Sequence, residues 1–155
     1  GVADFCHKAA SLGCTGIIFP DYPLDHEERE WLLSACMEHR LSFIPVLNPA
    51  ATEERIKKVA YLNPEMLYYG MRKGVTGAKN NLDPDIEKNL QYIETYMKIP
   101  LAVGWGISTP GHIRDLPMEA HTAIVGSKTT DVYNLNKNLR DVDIYITKMV
   151  KACKK

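Results

Sequence analysis

Short apolar, β-branched runs alternate along this chain with longer segments whose apolar residues recur every three or four positions. The first pattern is that of a buried strand, the second that of a helix with one apolar stripe. Runs at Thr15–Phe19, Leu41–Leu47, Glu65–Met71, Leu101–Gly104 and His121–Val125 predict five strands. A helix is expected from about Asp25 to Arg40, with Trp31, Leu32, Ala35 and Cys36 on its inner face and Asp25 and Glu28 spaced as a capping box. Thr52 is the expected cap of a helix carrying Ile56, Val59 and Ala60. Asp83-Pro84 places a cap and a first-turn proline before Ile86, Leu90, Ile93 and Met97, and Thr109-Pro110 opens a further helix in the same way. Val142, Ile146, Met149, Val150 and Cys153 mark a closing helix. Ala3–Leu12 also reads as a helix, with no strand before it.

Nearly continuous apolar strands separated by helices predict an α/β fold with a parallel, covered sheet. Three glycine-bearing segments follow the last three strands: Gly74-Val75-Thr76-Gly77, Gly104-Trp105-Gly106-Ile107-Ser108 and Val125-Gly126-Ser127. Glycine at a strand end lets the backbone turn sharply and brings bare amides close to a ligand. Three such ends gathered by one sheet would suit a phosphate, so a small phosphorylated molecule is the expected ligand. Gly126-Ser127 also reads as a plain strand exit with serine as helix cap, a use of the same amides. The polar stretch Lys73–Asn81 reads as a surface loop or as a lid that orders over ligand.

Composition narrows the field. The chain has 155 residues, 45% of them hydrophobic, and its 19 basic side chains balance 19 acidic ones. That balance gives no field favouring nucleic acid or an anionic membrane. Apolar runs stay far short of the ~20 residues of a membrane span, so a cytoplasmic location is expected. Cys6, Cys14, Cys36 and Cys153 lack metal or disulfide spacing and read as reduced, mostly packed thiols. The five histidines show no ligand spacing either, so no metal site is expected.

The glycine segments, in their order and register, resemble the C-terminal portion of the tryptophan synthase alpha chain family. Tyr68, Arg72, Gly74, Val75, Thr76 and Gly77 fit its Tyr-x-x-x-Arg-x-Gly-Val-Thr-Gly stretch. Gly104–Ser108 fits its Gly-Phe-Gly-Ile-Ser, with Trp105 replacing the usual phenylalanine, and Val125–Ser127 fits its Val-Gly-Ser. Pro20-Asp21-Tyr22-Pro23 is similar to its Asp-Leu-Pro turn, and Met71 stands where serine is common. The resemblance implies one domain over 1–155, the strand-four-to-eight part of a (β/α)8 TIM barrel. It implies a lyase that cleaves indole-3-glycerol phosphate to indole and glyceraldehyde 3-phosphate. Amides of Gly77, Gly106, Gly126 and Ser127 would hold the phosphate, Tyr68 and Ile18 would line the indole pocket, and Thr76 would orient the family's catalytic aspartate.

The same resemblance implies that the family's acid/base glutamate and aspartate lie upstream of Gly1. Asp21 is then the one weak carboxylate candidate, also explained by an Asx turn. No cofactor is implied for this chain; pyridoxal phosphate is expected only in a partner beta chain, within an alpha2beta2 assembly that Pro20–Pro23 would help contact. The competing expectations are a non-catalytic phosphate-binding or partner-regulating relative and a sugar-phosphate isomerase-like barrel.

Overall fold

A computed structural model describes residues 1–20, 29–70, 83–104 and 106–153. In chain order the elements are α1 (Val2–Ser11), β1 (Gly16–Ile18), α2 (Arg29–Glu38), β2 (Ser42–Ile44), β3 (Val46–Leu47), α3 (Glu53–Tyr61) and β4 (Leu67–Gly70). They continue with α4 (Ile86–Glu94), β5 (Leu101–Gly104), α5 (Pro110–Arg114), β6 (Thr122–Ala123), α6 (Ser127–Asn136) and α7 (Leu139–Ala152). Among the described residues every strand pairing is parallel, β1 with β2 in one sheet and β3-β4-β5-β6 in the other.

The run 41–47, expected as one strand, is divided at Pro45. Proline has no N–H to give a ladder, but its carbonyl accepts from the Tyr68 amide at 2.9 Å. The run therefore joins the sheets, pairing with β1 through Ser42–Ile44 and with β4 through Val46–Leu47. Strands thus stand side by side in chain order, and the helices cover one face. Ile56, Val59, Ile86, Leu90, Ile93, Ile113 and Met149 pack with Leu47, Leu67, Tyr69, Leu101 and Val103. Cys6 of α1 and Leu32, Ala35 and Cys36 of α2 form a second cluster with Ile17 and Leu41. A doubly wound sheet would carry helices on both faces and reverse its strand order; one covered face with sequential parallel strands is an arc of a β/α barrel.

Caps follow the expected chemistry at two helices. The Thr52 hydroxyl accepts from the Arg55 amide at 3.2 Å, and that of Thr109 from the His112 amide at 3.1 Å, with Pro110 in the first turn. Asp83 does not cap α4; Asp85 is its N-cap, and the Asp83 carboxylate, two residues before it, accepts from the Asp85 amide. Ser127 likewise is the first helical residue of α6 rather than its cap, which is Gly126. The closing segment holds two helices, α6 and α7, divided where Lys137 takes a left-handed φ of 49°. The buried stripe of α7 runs through Met149 and Ala152, with Tyr145 packed beside them, leaving Ile146, Val150 and Cys153 outside. Trp31 is 69% exposed, because the α2 stripe facing α1 is filled by Leu32, Ala35 and Cys36. Of the thiols, Cys6 and Cys36 are buried, whereas Cys14 and Cys153 are exposed. Burial, reinforced by the neighbouring Cys6, pushes the Cys36 thiol up to about 12. Among the described residues no helix is long and apolar enough to cross a membrane.

A polar staple ties β4 to the start of α4. The Asp83 carboxylate accepts from the Tyr69 hydroxyl at 3.1 Å and the Asn89 amide at 2.9 Å, and Asn89 also donates to the Tyr69 oxygen at 3.0 Å. Burial, with the Asp83 charge adding to it, raises the Tyr69 phenol above its ordinary range, so it stays a donor. Tyr69→Phe removes that donor from a part-buried acceptor and is expected to cost about 1–2 kcal/mol. An unchanged urea midpoint for this variant would show that the staple contributes nothing.

Candidate strand-end anion site

Side chains alternate between the faces of a strand. Leu67, Tyr69, Leu101 and Val103 point to the helices, so Tyr68, Ala102 and Gly104 occupy the opposite face. Ile18 follows the same rule: Ile17 packs with α1 and α2, and Ile18, 38% exposed, lies with its register partner Ile44 on the open face. The two candidate pocket residues, Tyr68 and Ile18, are therefore on one face. They stand on different sheets, separated by the 41–47 run.

Tyr68 leans towards the C-terminal end of β5. A Cβ built on Gly104 would lie 2.2 Å from its hydroxyl oxygen and 2.6 Å from its ring. Glycine here makes room for the phenol, which lies against the C-terminal end of β5 on the open face, and the space above that end is the candidate cleft. Beyond it the chain reaches Gly106 at φ 138°, a region that favours glycine.

The turn that follows is held from behind. The Nδ1 of His112 lies 3.2 Å from the Ser108 amide and 3.1 Å from the Gly106 carbonyl. It accepts from the first or donates to the second according to its tautomer. The Tyr145 hydroxyl, from α7, donates to the Ser108 carbonyl at 3.1 Å. Burial raises the Tyr145 phenol, so it too remains a donor. Neither residue carried a signal in the sequence. His112 has no ligand-like spacing, and Tyr145 is 37 positions from its partner.

The neighbouring strand delivers the second turn. β6 pairs with β5 through Ala102↔Thr122 and Val103↔Ala123, and the Ile124 amide donates to Val103 at 2.7 Å. Gly126 and Ser127 consequently leave the sheet at the same end as Gly106, from the adjacent strand. α6 starts at Gly126 without a side-chain cap, and a Cβ there would meet nothing within 4 Å. Amides of an uncapped first turn, at the positive end of a ten-residue helix, are donors open to an anion. Of the predicted site residues, Tyr68, Gly106, Gly126 and Ser127 thus share the C-terminal end of adjacent strands. Asp21, Thr76, Gly77, Trp105 and the expected Lys73–Asn81 lid lie outside the described residues. Among the described residues no group of three or more His, Cys, Asp or Glu could hold a metal ion.

Comparison with known proteins gives this geometry a context. A family model described as tryptophan synthase alpha chain matches residues 1–155. A tryptophan synthase alpha chain from Dehalococcoides mccartyi is 34% identical over 149 residues, covering 96% of this chain and 58% of that protein. One from Halalkalibacterium halodurans is 37% identical over 127 residues, covering 82% of this chain and 47% of that protein. A structure of Mycobacterium tuberculosis tryptophan synthase superposes with a TM-score of 0.86 at 26% identity, covering 100% of this chain and 58% of that one. The chain spans about half the length of the relatives it matches.

Proposed function

The chain belongs to the tryptophan synthase alpha chain family, and on that premise we propose that it forms the phosphate- and indole-holding part of a (β/α)8 lyase. That enzyme would cleave indole-3-glycerol phosphate to indole and glyceraldehyde 3-phosphate. In this reading Gly106, Gly126 and Ser127 present amides to the phosphate, with Gly77 completing the ring. Tyr68 and Ile18 line the space for the indole, and Thr76 orients a catalytic aspartate supplied by the rest of the barrel. The enzyme works without a cofactor of its own, in the cytoplasm. Its partner is a beta chain carrying pyridoxal phosphate, in an alpha2beta2 assembly.

The observation that carries this reading is the pair of glycine turns leaving adjacent parallel strands at one end, with the Tyr68 phenol packed against Gly104 just before the first of them. A phosphate there meets backbone donors and the start of α6, without any need for a charged side chain. Phosphate binding by the protein, titrated calorimetrically, tests it. Gly126→Val would put two methyl groups into space that is open in this structure and should abolish the binding. Equal phosphate affinity in wild type and variant would remove Gly126 from the site.

A further inference from the structure

We propose that His112 is a positioning residue for the anion turn, locking the peptide that follows Gly106 so that its carbonyl faces α5 and its N–H faces the cleft. The proposal rests on the phosphate reading above and assigns a task to a side chain that itself touches no ligand.

The argument starts from peptide geometry. A trans peptide is planar, with its C=O and N–H pointing in opposite directions. The Gly106 carbonyl lies 3.1 Å from His112 Nδ1, so the Ile107 N–H of the same peptide points away from the ring. The Ser108 amide also approaches Nδ1, at 3.2 Å, so the Ile107 carbonyl points away from it as well. Two successive peptides are thereby registered against a single nitrogen.

Such a lock matters because of the residue before it. Gly106 sits at φ 138°, and glycine adopts either sign of φ at little cost. Without a partner the Gly106–Ile107 peptide could rotate and turn its carbonyl oxygen towards the cleft. A carbonyl aimed at a phosphate replaces an attractive dipole with a repulsive one.

In the Nδ1–H tautomer His112 donates to the Gly106 carbonyl and holds it towards α5; in the other tautomer Nδ1 accepts from the Ser108 amide and fixes the next peptide instead. Its own backbone is fixed independently by the Thr109 cap at 3.1 Å, and Tyr145 holds the Ser108 carbonyl from the other side. The buried Ile107, 4% exposed, anchors the turn to the core but cannot choose which way its flanking peptides face.

The test compares two replacements by titrating inorganic phosphate into the purified protein. In His112→Asn the side-chain amide supplies both an N–H that can donate to the Gly106 carbonyl and an oxygen that can accept from the Ser108 amide. In His112→Phe the ring is kept and the nitrogen lost. His112→Asn should bind phosphate within about twofold of wild type, whereas His112→Phe should bind about tenfold more weakly while remaining folded at the temperature of the titration, as read by circular dichroism. His112→Leu is the second apolar variant should the phenylalanine form not fold. Wild-type affinity in the apolar variants, or equal loss in the asparagine variant, overturns the positioning role and leaves the phosphate site standing. A wild-type protein that binds no phosphate overturns the site and the positioning role together.

Discussion

Gly104→Ala is expected to cost about 3 kcal/mol of stability, far more than one added methyl group costs at an exposed position. The methyl would sit 2.2 Å from the Tyr68 oxygen and 2.6 Å from its ring. Tyr68 is 7% exposed, so its ring has little room to swing away. Residue β4 Gly70 pairs with Gly104, which ties the two strands in register at this height. The strain must therefore either part β4 from β5 or push the phenol into the cleft. A double-mutant cycle identifies the cause. Tyr68→Ala is destabilising on its own, but Gly104→Ala added to it should cost almost nothing further. Additive urea midpoints across the cycle would mean that the phenol is not what forbids a side chain at Gly104.

The second large effect concerns turnover. Residues 1–155 alone are expected to release no measurable indole from indole-3-glycerol phosphate. Cleaving that carbon–carbon bond requires a proton delivered to the indole ring carbon and one taken from the glycerol hydroxyl. General acid and base groups each contribute roughly 10²–10⁴-fold, and in the proposed reading the family's glutamate and aspartate are not among residues 1–155. Fusing or co-expressing barrel strands that bear that pair should bring cleavage back, and a beta chain should raise it further. Ordinary enzymatic turnover by 1–155 alone would sink this division of labour and make Asp21 the first residue to mutate.

Much of the framework was legible because local chemistry and tertiary packing agree there. The stripe Ile86, Leu90, Ile93 and Met97 is buried as its spacing predicts, and Leu101–Gly104 is a strand with the expected bounds. The caps at Thr52 and Thr109 are likewise local events, decided within one turn of helix. Where the reading failed, a single atom or a distant partner decides. Pro45 divides a strand through a missing N–H, and Lys137 ends α6 in a conformation that no glycine announced. Trp31 satisfies the α2 pattern yet faces outward, since Leu32, Ala35 and Cys36 already fill the stripe that meets the core. In the candidate site, glycine placement pointed to the turns at Gly106 and Gly126. It was silent about His112 and Tyr145, whose role comes from contacts made across the fold.

The two apolar clusters have a consequence for how the native state fluctuates. Phe43, beside Pro45, is packed against both, and each cluster otherwise draws on its own helices and strands. Cooperative opening follows such divisions, and its free energy scales with the apolar surface that each unit holds. The α1–β1–α2–β2 unit, with the smaller cluster, is the cheaper one to open. Its backbone amides should surrender their protons to solvent while β4 and β5 stay closed. The end of the sheet that carries the glycine turns would then keep its shape through excursions that dissolve the opposite edge.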